Sequence, residues 1–435
     1  MHEGFIIQNS WGESWGAGGF ALLPYEDYLI HATDVWVAQL GVPLSMNVWE
    51  TYDGSETTAG IQRASSNIPL SDIRPYVIDI GNNGRLSDSG AYWTTEEDLD
   101  RLFTESIPTA AKDWKTKRVL LYLHGGLNDE KAVARRIVAF RDVLLENEIY
   151  PLHIMWESGA AESINGIIRD HFTDEDERAG GAIGNWLRKT RDGLIEAKDR
   201  TFELTVALPG SALWSEMKEN ARLASRHPDR IGGVQLLAKY VKQAMAKLSA
   251  SQRSEWEVHL VGHSAGSIFA AHALPHLINL GVALKSLNFL APAITIEDFN
   301  TLLRPLVVGN KIEAPGLFVL SDVGELDDDV GPYGKSLLYL VSNAFEGRRG
   351  VPLLGMKCFL DEDAKLKALF AGKQNGMSAL VVAGEDGPEH SVSRSDSHGG
   401  FDNDPATLNS LLYRILGIKT LAKNSRKFEV RDLQF

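Results

Sequence analysis

Cysteine is almost absent from the 435-residue chain, and long apolar runs are absent too. The single cysteine, Cys358, excludes an internal disulfide framework and any zinc or iron–sulfur site built from several thiolates. The first residues, Met-His-Glu-Gly-Phe-Ile-Ile-Gln, contain no basic segment followed by an apolar stretch, so no secretory signal is expected. The most apolar region, residues 258–284, is interrupted by histidines, a serine and a proline, so no membrane span is expected either. These features together predict a soluble, cytoplasmic protein.

Basic residues are also fewer than acidic residues. Lys and Arg number 44 against 58 Asp and Glu, which gives a formal net charge of −14. An acidic surface repels phosphate backbones and anionic membranes on average, so nucleic-acid binding is not expected. Hydrophobic residues make up 44% of the chain and charged residues 23%, which are the proportions of a globular protein with a large core.

From residue 118 onward, short apolar strands alternate with longer helical stretches. This alternation predicts a mainly parallel β-sheet covered by helices on both faces, an α/β fold. Between the first two of these strands, Val133, Ile137, Phe140 and Leu144 recur at helical spacing and predict a helix with one buried face. The predicted strands, including one ahead of the alternating region, are residues 76–80, 119–123, 152–156, 258–261, 287–290, 317–320 and 380–383.

The chain is predicted to contain four segments. Residues 1–45 and a β-rich lead-in, 46–117, precede an α/β domain at 118–420, and a C-terminal tail occupies 421–435. The stretch from about 157 to 250 is too long for a single crossover between strands, so it predicts a helical insertion. Asp404 with Pro405 starts the last helix of the domain, and Gly417 ends it.

The strongest motif is Gly262-His263-Ser264-Ala265-Gly266, which follows the strand at 258–261 and precedes a helical stretch. A serine on a sharp strand-to-helix turn needs small residues two positions to either side, because the backbone there is crowded. The turn also places the serine at a helix N-terminus, where exposed N–H groups favour developing negative charge. Ser264 is therefore the candidate nucleophile.

A serine nucleophile needs a base, and the base needs an acid that orients it. His398 lies in a glycine-containing loop after the last predicted strand, 398 − 264 = 134 residues beyond Ser264. The acid is expected in the loop after the strand at 317–320, where several carboxylates are crowded together. Asp322 is nearest to the strand end and is the first candidate, with Asp327 and Asp328 as alternatives.

Main-chain N–H groups that bind an oxyanion are expected at two places. His124-Gly125-Gly126-Leu127 follows the first strand of the domain, and glycine lets the backbone come close to a substrate. The N–H groups of Gly126 or Leu127, together with that of Ala265, are the candidates. Each such donor is worth about 2.7–4 kcal/mol in enzymes where it has been removed.

The order of strand, His-Gly-Gly, strand, Gly-x-Ser-x-Gly, helix, strand, acid, strand and histidine resembles the α/β-hydrolase family over residues 118–417. The resemblance implies that Ser264 is the nucleophile, that His398 is the general base and acid, and that a carboxylate of the 322–328 loop orients it. It also implies that Gly126 or Leu127 acts with Ala265 on the oxyanion.

The family resemblance further implies a carboxylesterase- or lipase-like serine hydrolase that cleaves a small-molecule ester or thioester through an acyl-serine and needs no cofactor. Two features depart from the family's pattern: the long insertion before the nucleophile strand and the crowded choice of acid. The alternative hypothesis is a non-catalytic interaction module with the same fold.

Residues 5–25 resemble the C-terminal end of a papain-like cysteine peptidase. The matching residues are Asn9-Ser10-Trp11-Gly12, Trp15-Gly16 and Gly19-Phe20. In that family the asparagine orients a histidine that, like the catalytic cysteine, lies upstream, and almost no chain lies upstream of Asn9 here. The segment is therefore expected to be an incomplete remnant of a longer, two-enzyme chain. Its unpaired strand edges make it a candidate docking site for a protein partner.

Overall fold

The computed structural model describes residues 4–8, 20–25, 68–88, 90–126, 130–156, 187–228, 230–330, 333–421 and 425–433. The chain divides into two compact units, Met1–Ile61 and Gln62–Phe435. In the first unit, strands β1 (Gly4–Gln8) and β2 (Phe20–Pro24) form an antiparallel pair. Residues 9–19, which hold all of the Asn-Ser-Trp-Gly region except Phe20, lie outside the described residues.

The second unit is built on a seven-stranded sheet in which every neighbouring pair of strands is parallel. Its strands and one small antiparallel pair are β3 (Val77–Ile80), β4 (Lys117–Leu123), β5 (Ile149–Trp156), β6 (Trp256–His263), β7 (Leu284–Leu290), β8 (Gly316–Val319), β9 (Lys373–Gln374), β10 (Met377–Ser378) and β11 (Leu380–Val382). The order across the sheet is β11-β8-β7-β6-β4-β5-β3, and β9 pairs with β10. Each predicted strand overlaps one of these, and the α/β fold is confirmed.

The order of the strands determines where a site can form. The chain passes from β4 outward to β5 and then returns to the other side of β4 at β6, so the direction of winding reverses between β4 and β6. Ligands of open parallel sheets bind outside the carboxyl ends of the strands at such a reversal point. The segments that follow β4, β6, β8 and β11 all begin at this edge, because parallel strands end on the same side.

Helices connect the strands and cover the sheet. Those used below are α1 (Glu130–Glu146), α2 (Leu187–Ser225), α3 (Gly233–Ala246), α4 (Gly266–Asn279), α5 (Asp322–Asp327) and α6 (Pro405–Leu416). Shorter helical segments are Leu70–Ile73, Arg74–Tyr76, Glu96–Arg101, Leu102–Ser106, Ile107–Ala110, Ala250–Arg253, Ile296–Asp298, Phe299–Leu303, Arg304–Val308, Leu337–Leu340, Val341–Phe345, Lys357–Glu362, Ala364–Phe370, Glu389–Ser391, His398–Asp402 and Val430–Leu433. No helix of the described residues has the length and apolar character needed to cross a bilayer.

Two helices form for the reasons that the sequence indicates. All four members of the predicted apolar stripe on α1 are buried. The Asp404 side chain accepts hydrogen bonds from the N–H groups of Ala406 and Thr407 at the start of α6, and Gly417 ends that helix with a φ of 66°. Both ends of α6 therefore satisfy main-chain groups that the helix itself leaves without partners.

The two predicted regions outside the sheet are partly described. In the predicted insertion, α2 and α3 are helical as expected, while residues 157–186 lie outside the described part. The described part of the predicted β-rich lead-in contains more helix than strand. Its strand β3 joins the edge of the sheet beside β5.

The start of α4 packs directly on the end of β4. A Cβ atom added to Gly266 would overlap the carbonyl oxygen of Leu123 and lie 3.0 Å from that of His124. Main-chain atoms cannot move aside as a flexible side chain can. Gly266 is therefore required by the close approach of the helix to the strand end.

We expect Gly266→Ala to lower the free energy of unfolding by about 1–3 kcal/mol, the usual cost of forcing an extra methyl group into a packed site. The measurement is the urea midpoint of the full chain. Gly81→Ala is the matched control, because the nearest atom to an added Cβ there is at an ordinary 3.7 Å. Equal midpoints for the two variants would contradict this account of the packing.

Candidate active site

Ser264 occupies a strained turn directly after β6. Its φ is +51°, a left-handed conformation that costs a non-glycine residue of the order of 1–3 kcal/mol. The Ser264 N–H donates to the carbonyl of Leu290 at 2.9 Å. Its carbonyl accepts from the N–H of Ser267 at 3.0 Å, the Oγ of Ser267 at 2.6 Å and the N–H of Ala293 at 3.1 Å. These four hydrogen bonds hold the turn in its strained conformation.

His398 lies against the hydroxyl group of Ser264. The distance from His398 Nε2 to Ser264 Oγ is 2.9 Å, and each residue is only 5% exposed. Burial, and to a smaller extent the nearby His263, lower the pKa of His398 to about 3, while Asp402 acts in the opposite direction. At neutral pH the ring is therefore neutral: Nε2 accepts a hydrogen bond from the Ser264 hydroxyl, and Nδ1 carries the ring proton.

One of the three candidate acids contacts His398. Asp328 Oδ2 accepts a hydrogen bond from the main-chain N–H of His398 at 2.8 Å. Burial raises the pKa of Asp328, and this hydrogen bond opposes the shift. Asp322 and Asp327 are exposed residues of α5, and neither forms a hydrogen bond or ion pair with His398 in the described part of the chain. His398 Nδ1 is buried and has no hydrogen-bond partner among the described residues.

Two of the candidate oxyanion donors, Gly126 and Ala265, lie together at the reversal point of the sheet. A Cβ atom added to Gly126 would be 3.1 Å from the Cβ of Ala265 and 2.5 Å from the Sδ of Met217 on α2. The N–H of Ala265 donates to no acceptor in the part of the chain that the structure describes. Leu127 lies outside the described residues. The loop after β4 therefore contacts both the serine turn and helix α2 of the insertion.

His124 holds the end of β4 in place. Its Nδ1 is 2.7 Å from the carbonyl of Gly125, and its Nε2 accepts from the main-chain N–H of Trp156 at 3.3 Å. The Trp156 indole donates back to the His124 carbonyl at 3.3 Å. Burial lowers the pKa of His124 to about 4, so the ring is neutral and both nitrogens have partners. Its role is to fix the loop that contains Gly126.

A buried carboxylate that the sequence analysis missed lies beneath these residues. Asp402 has no exposed surface, and its Oδ2 is 2.8 Å from Arg136 Nε on α1. The same oxygen accepts from the Tyr122 hydroxyl at 3.2 Å and is 3.0 Å from His263 Nδ1. Burial alone would raise the pKa of Asp402, but Arg136, His263 and the hydrogen bonds outweigh it and hold that pKa well below the usual range. Asp402 is therefore ionised.

The sequence contains one indication of this buried charge cluster, a charged residue on an apolar helix face. Arg136 lies three residues after Val133 and four before Phe140, so it falls on the predicted apolar face of α1. A charged residue on a buried face requires a partner of opposite charge. Asp402, four residues after His398, supplies that charge, but the sequence does not indicate which of many acids it would be.

No three His, Cys, Asp or Glu side chains of the described residues are arranged to hold a metal ion. Cys358 is half-buried, and burial raises the pKa of its thiol, as do nearby acids, Asp322 foremost.

Comparison of the chain with protein-family models, with curated proteins and with solved structures finds no significant match. The fold class and the geometry of the site are therefore the observations on which a function can be argued.

We expect Asp402→Asn to cost about 3–5 kcal/mol at pH 7, because breaking a buried ion pair leaves Arg136 without its counter-charge. The folded-state pKa of Asp402 is depressed, so its contribution is complete above the ordinary aspartate pKa and is lost as pH falls through the folded value. The difference in free energy of unfolding between wild type and variant should therefore shrink below about pH 4.

Urea unfolding at a series of pH values measures this difference. Asp142→Asn is the control, because Asp142 is an exposed residue of α1 paired with Arg141 at 2.9 Å. It should change stability by no more than about 0.5 kcal/mol at any pH. A gap between wild type and Asp402→Asn that is constant from pH 7 to pH 3 would contradict the ionised, ion-paired state of Asp402.

Proposed function

We propose that the protein is a serine hydrolase of the α/β-hydrolase type that cleaves an ester or thioester through an acyl-serine. The observation that supports this most is the 2.9 Å distance from Ser264 Oγ to His398 Nε2, across 134 residues of sequence. The strained φ of Ser264 and its position at the reversal point of the sheet add to the argument. Strain of this kind clusters at active sites.

The proposed reaction has two halves. Ser264 Oγ attacks the carbonyl carbon, its proton passes to His398 Nε2, and the carbonyl oxygen becomes an oxyanion beside the N–H groups of Ala265 and the Gly126 loop. The carbon–oxygen or carbon–sulfur bond to the leaving group then breaks, and His398 returns the proton to the alcohol or thiol. Water attacks the acyl-serine by the same route and releases the acid.

Protonated His398 has an N–H group at each ring nitrogen, so its Nδ1 needs an acceptor during the reaction. We propose Asp328 for this role, because its carboxylate already accepts the main-chain N–H of the same residue. Asp322 and Asp327 remain the alternatives from the family resemblance.

The nature of the substrate is inferred from the family resemblance. A small-molecule ester or thioester suits a site where both reacting side chains are almost completely buried. A cytoplasmic location is proposed as well, since the composition of the chain has so little cysteine. The N-terminal segment is proposed as a docking site for a protein partner.

A fluorophosphonate probe tests the proposed nucleophile directly. The wild-type chain should be labelled, and Ser264→Ala should abolish labelling because the attacking oxygen is removed. Ser254→Ala, at an exposed serine, is the matched control and should be labelled at the wild-type rate. A folded wild-type protein that resists the probe would favour the non-catalytic interaction module instead.

The base and the acid are tested by the rate of labelling. We expect His398→Ala to slow it by about 10²–10⁴-fold, the usual contribution of a positioned base. Asp328→Asn should slow labelling more than Asp322→Asn or Asp327→Asn, whose side chains do not contact His398. If Asp322→Asn were the slowest of the three, Asp328 would be the wrong assignment.

A further inference from the structure

His263 lies inside the serine turn, and both of its ring nitrogens face oxygen atoms. Nδ1 is 3.0 Å from Asp402 Oδ2, and Nε2 is 3.0 Å from the main-chain carbonyl of His398. The residue is buried, with 4% of its surface exposed.

Neither oxygen has a proton to donate. A main-chain carbonyl only accepts hydrogen bonds. Asp402 Oδ2 is approached from three sides, by Arg136 Nε at 2.8 Å, the Tyr122 hydroxyl at 3.2 Å and the ring of His263. A carboxylate surrounded by a guanidinium group and a donating hydroxyl is ionised and accepts. A neutral imidazole has one N–H group, so it would leave one of its nitrogens facing an oxygen lone pair.

We infer that His263 is a buried imidazolium that donates from both nitrogens and thereby positions His398 against Ser264. The charge state follows from the contacts alone, whereas the positioning role rests on the proposed function. One donor is anchored on the Asp402–Arg136 ion pair, and the other holds the main-chain carbonyl of His398. The nucleophile and the base are thus joined by the residue that precedes the nucleophile.

The charge of His263 also acts on His398 through space. Their ring centroids are 5.6 Å apart, and a positive neighbour makes protonation of His398 less favourable. The other groups around His263 are Asp402, which is negative, Arg136 on α1, Tyr122 on β4 and the neutral His124 after β4.

Detection of ring nitrogens by NMR tests the charge state in the full chain labelled with ¹⁵N-histidine. At pH 8.5 an ordinary histidine, with a pKa near 6.5, is about 1% protonated. We expect one imidazole to keep two N–H groups at this pH, and we expect Asp402→Asn or His263→Gln to abolish that signal. If every histidine were neutral at pH 8.5 in the wild type, the inference would be wrong, and this result needs no variant to fold.

The pH dependence of fluorophosphonate labelling tests the positioning role. His263→Gln offers an amide that can donate to only one of the two oxygens and carries no charge. We expect labelling to slow by about tenfold or more, as for loss of a hydrogen bond from a charged donor, and the midpoint of its acid limb to rise because His398 becomes easier to protonate. His276→Gln, on a more exposed histidine of α4, is the control and should match the wild type.

The two experiments distinguish a failure of the charge assignment from a failure of the positioning role or of the proposed function. A doubly protonated ring together with an unchanged rate and acid limb in His263→Gln would retain the charge state and overturn the positioning role. A folded wild-type protein that is not labelled at all would overturn the proposed function and the positioning role with it. The NMR experiment would still decide the charge of His263.

Discussion

A single buried oxygen, Oδ2 of Asp402, joins four parts of the molecule. It contacts Arg136 on α1, Tyr122 on β4 and His263 at the end of β6. The fourth part is the helical turn His398–Asp402, to which Asp402 itself belongs. A carboxylate without exposed surface is stable only if donors surround it, so the positions of these elements depend on one another. The approach of His398 to Ser264 follows from this arrangement, because Ser264 follows His263 in the chain and the His398 carbonyl lies 3.0 Å from His263 Nε2.

The sheet supplies the second constraint. The loop after β4 and the turn after β6 are neighbours because the two strands pair in parallel, with Leu121 beside Leu260. Gly266 lets α4 start close to the end of β4, and Met217 of α2 packs over the same loop. Small residues at these points bring two main chains closer than side chains would allow. That close approach makes Gly126 and Ala265, the residues of the proposed oxyanion donors, neighbours.

Features with a local cause could be predicted from the sequence. The strands, the buried face of α1 and both ends of α6 depend on residues a few positions apart, and the structure confirms them. The turn around Ser264 could be predicted for the same reason, because its glycines and the strand before it lie within ten residues.

Which acids lie near His398 depends on the three-dimensional fold, so the sequence alone could not identify them. Asp322 is nearest to the end of β8 in sequence, but Ser321 caps α5 there and the chain continues as an exposed helix. The helix ends at Asp327, and the next residue, Asp328, supplies the carboxylate that contacts His398. The roles of Arg136 and Asp402 could not be assigned either, because the partners are 266 residues apart (402 − 136) and nothing local connects them.

Ser264 and His398 are far apart in the sequence, and this has a consequence for the synthesis of the protein. A ribosome makes the proposed nucleophile well before the imidazole that would activate it, and β11, which leads into the histidine turn, is the last strand added to the sheet. Under the proposed function, the serine hydroxyl would therefore lack its base during synthesis, even if its turn had already formed. Reactivity would begin only when the final portion of the sheet is complete, so unfinished chains could not acylate themselves.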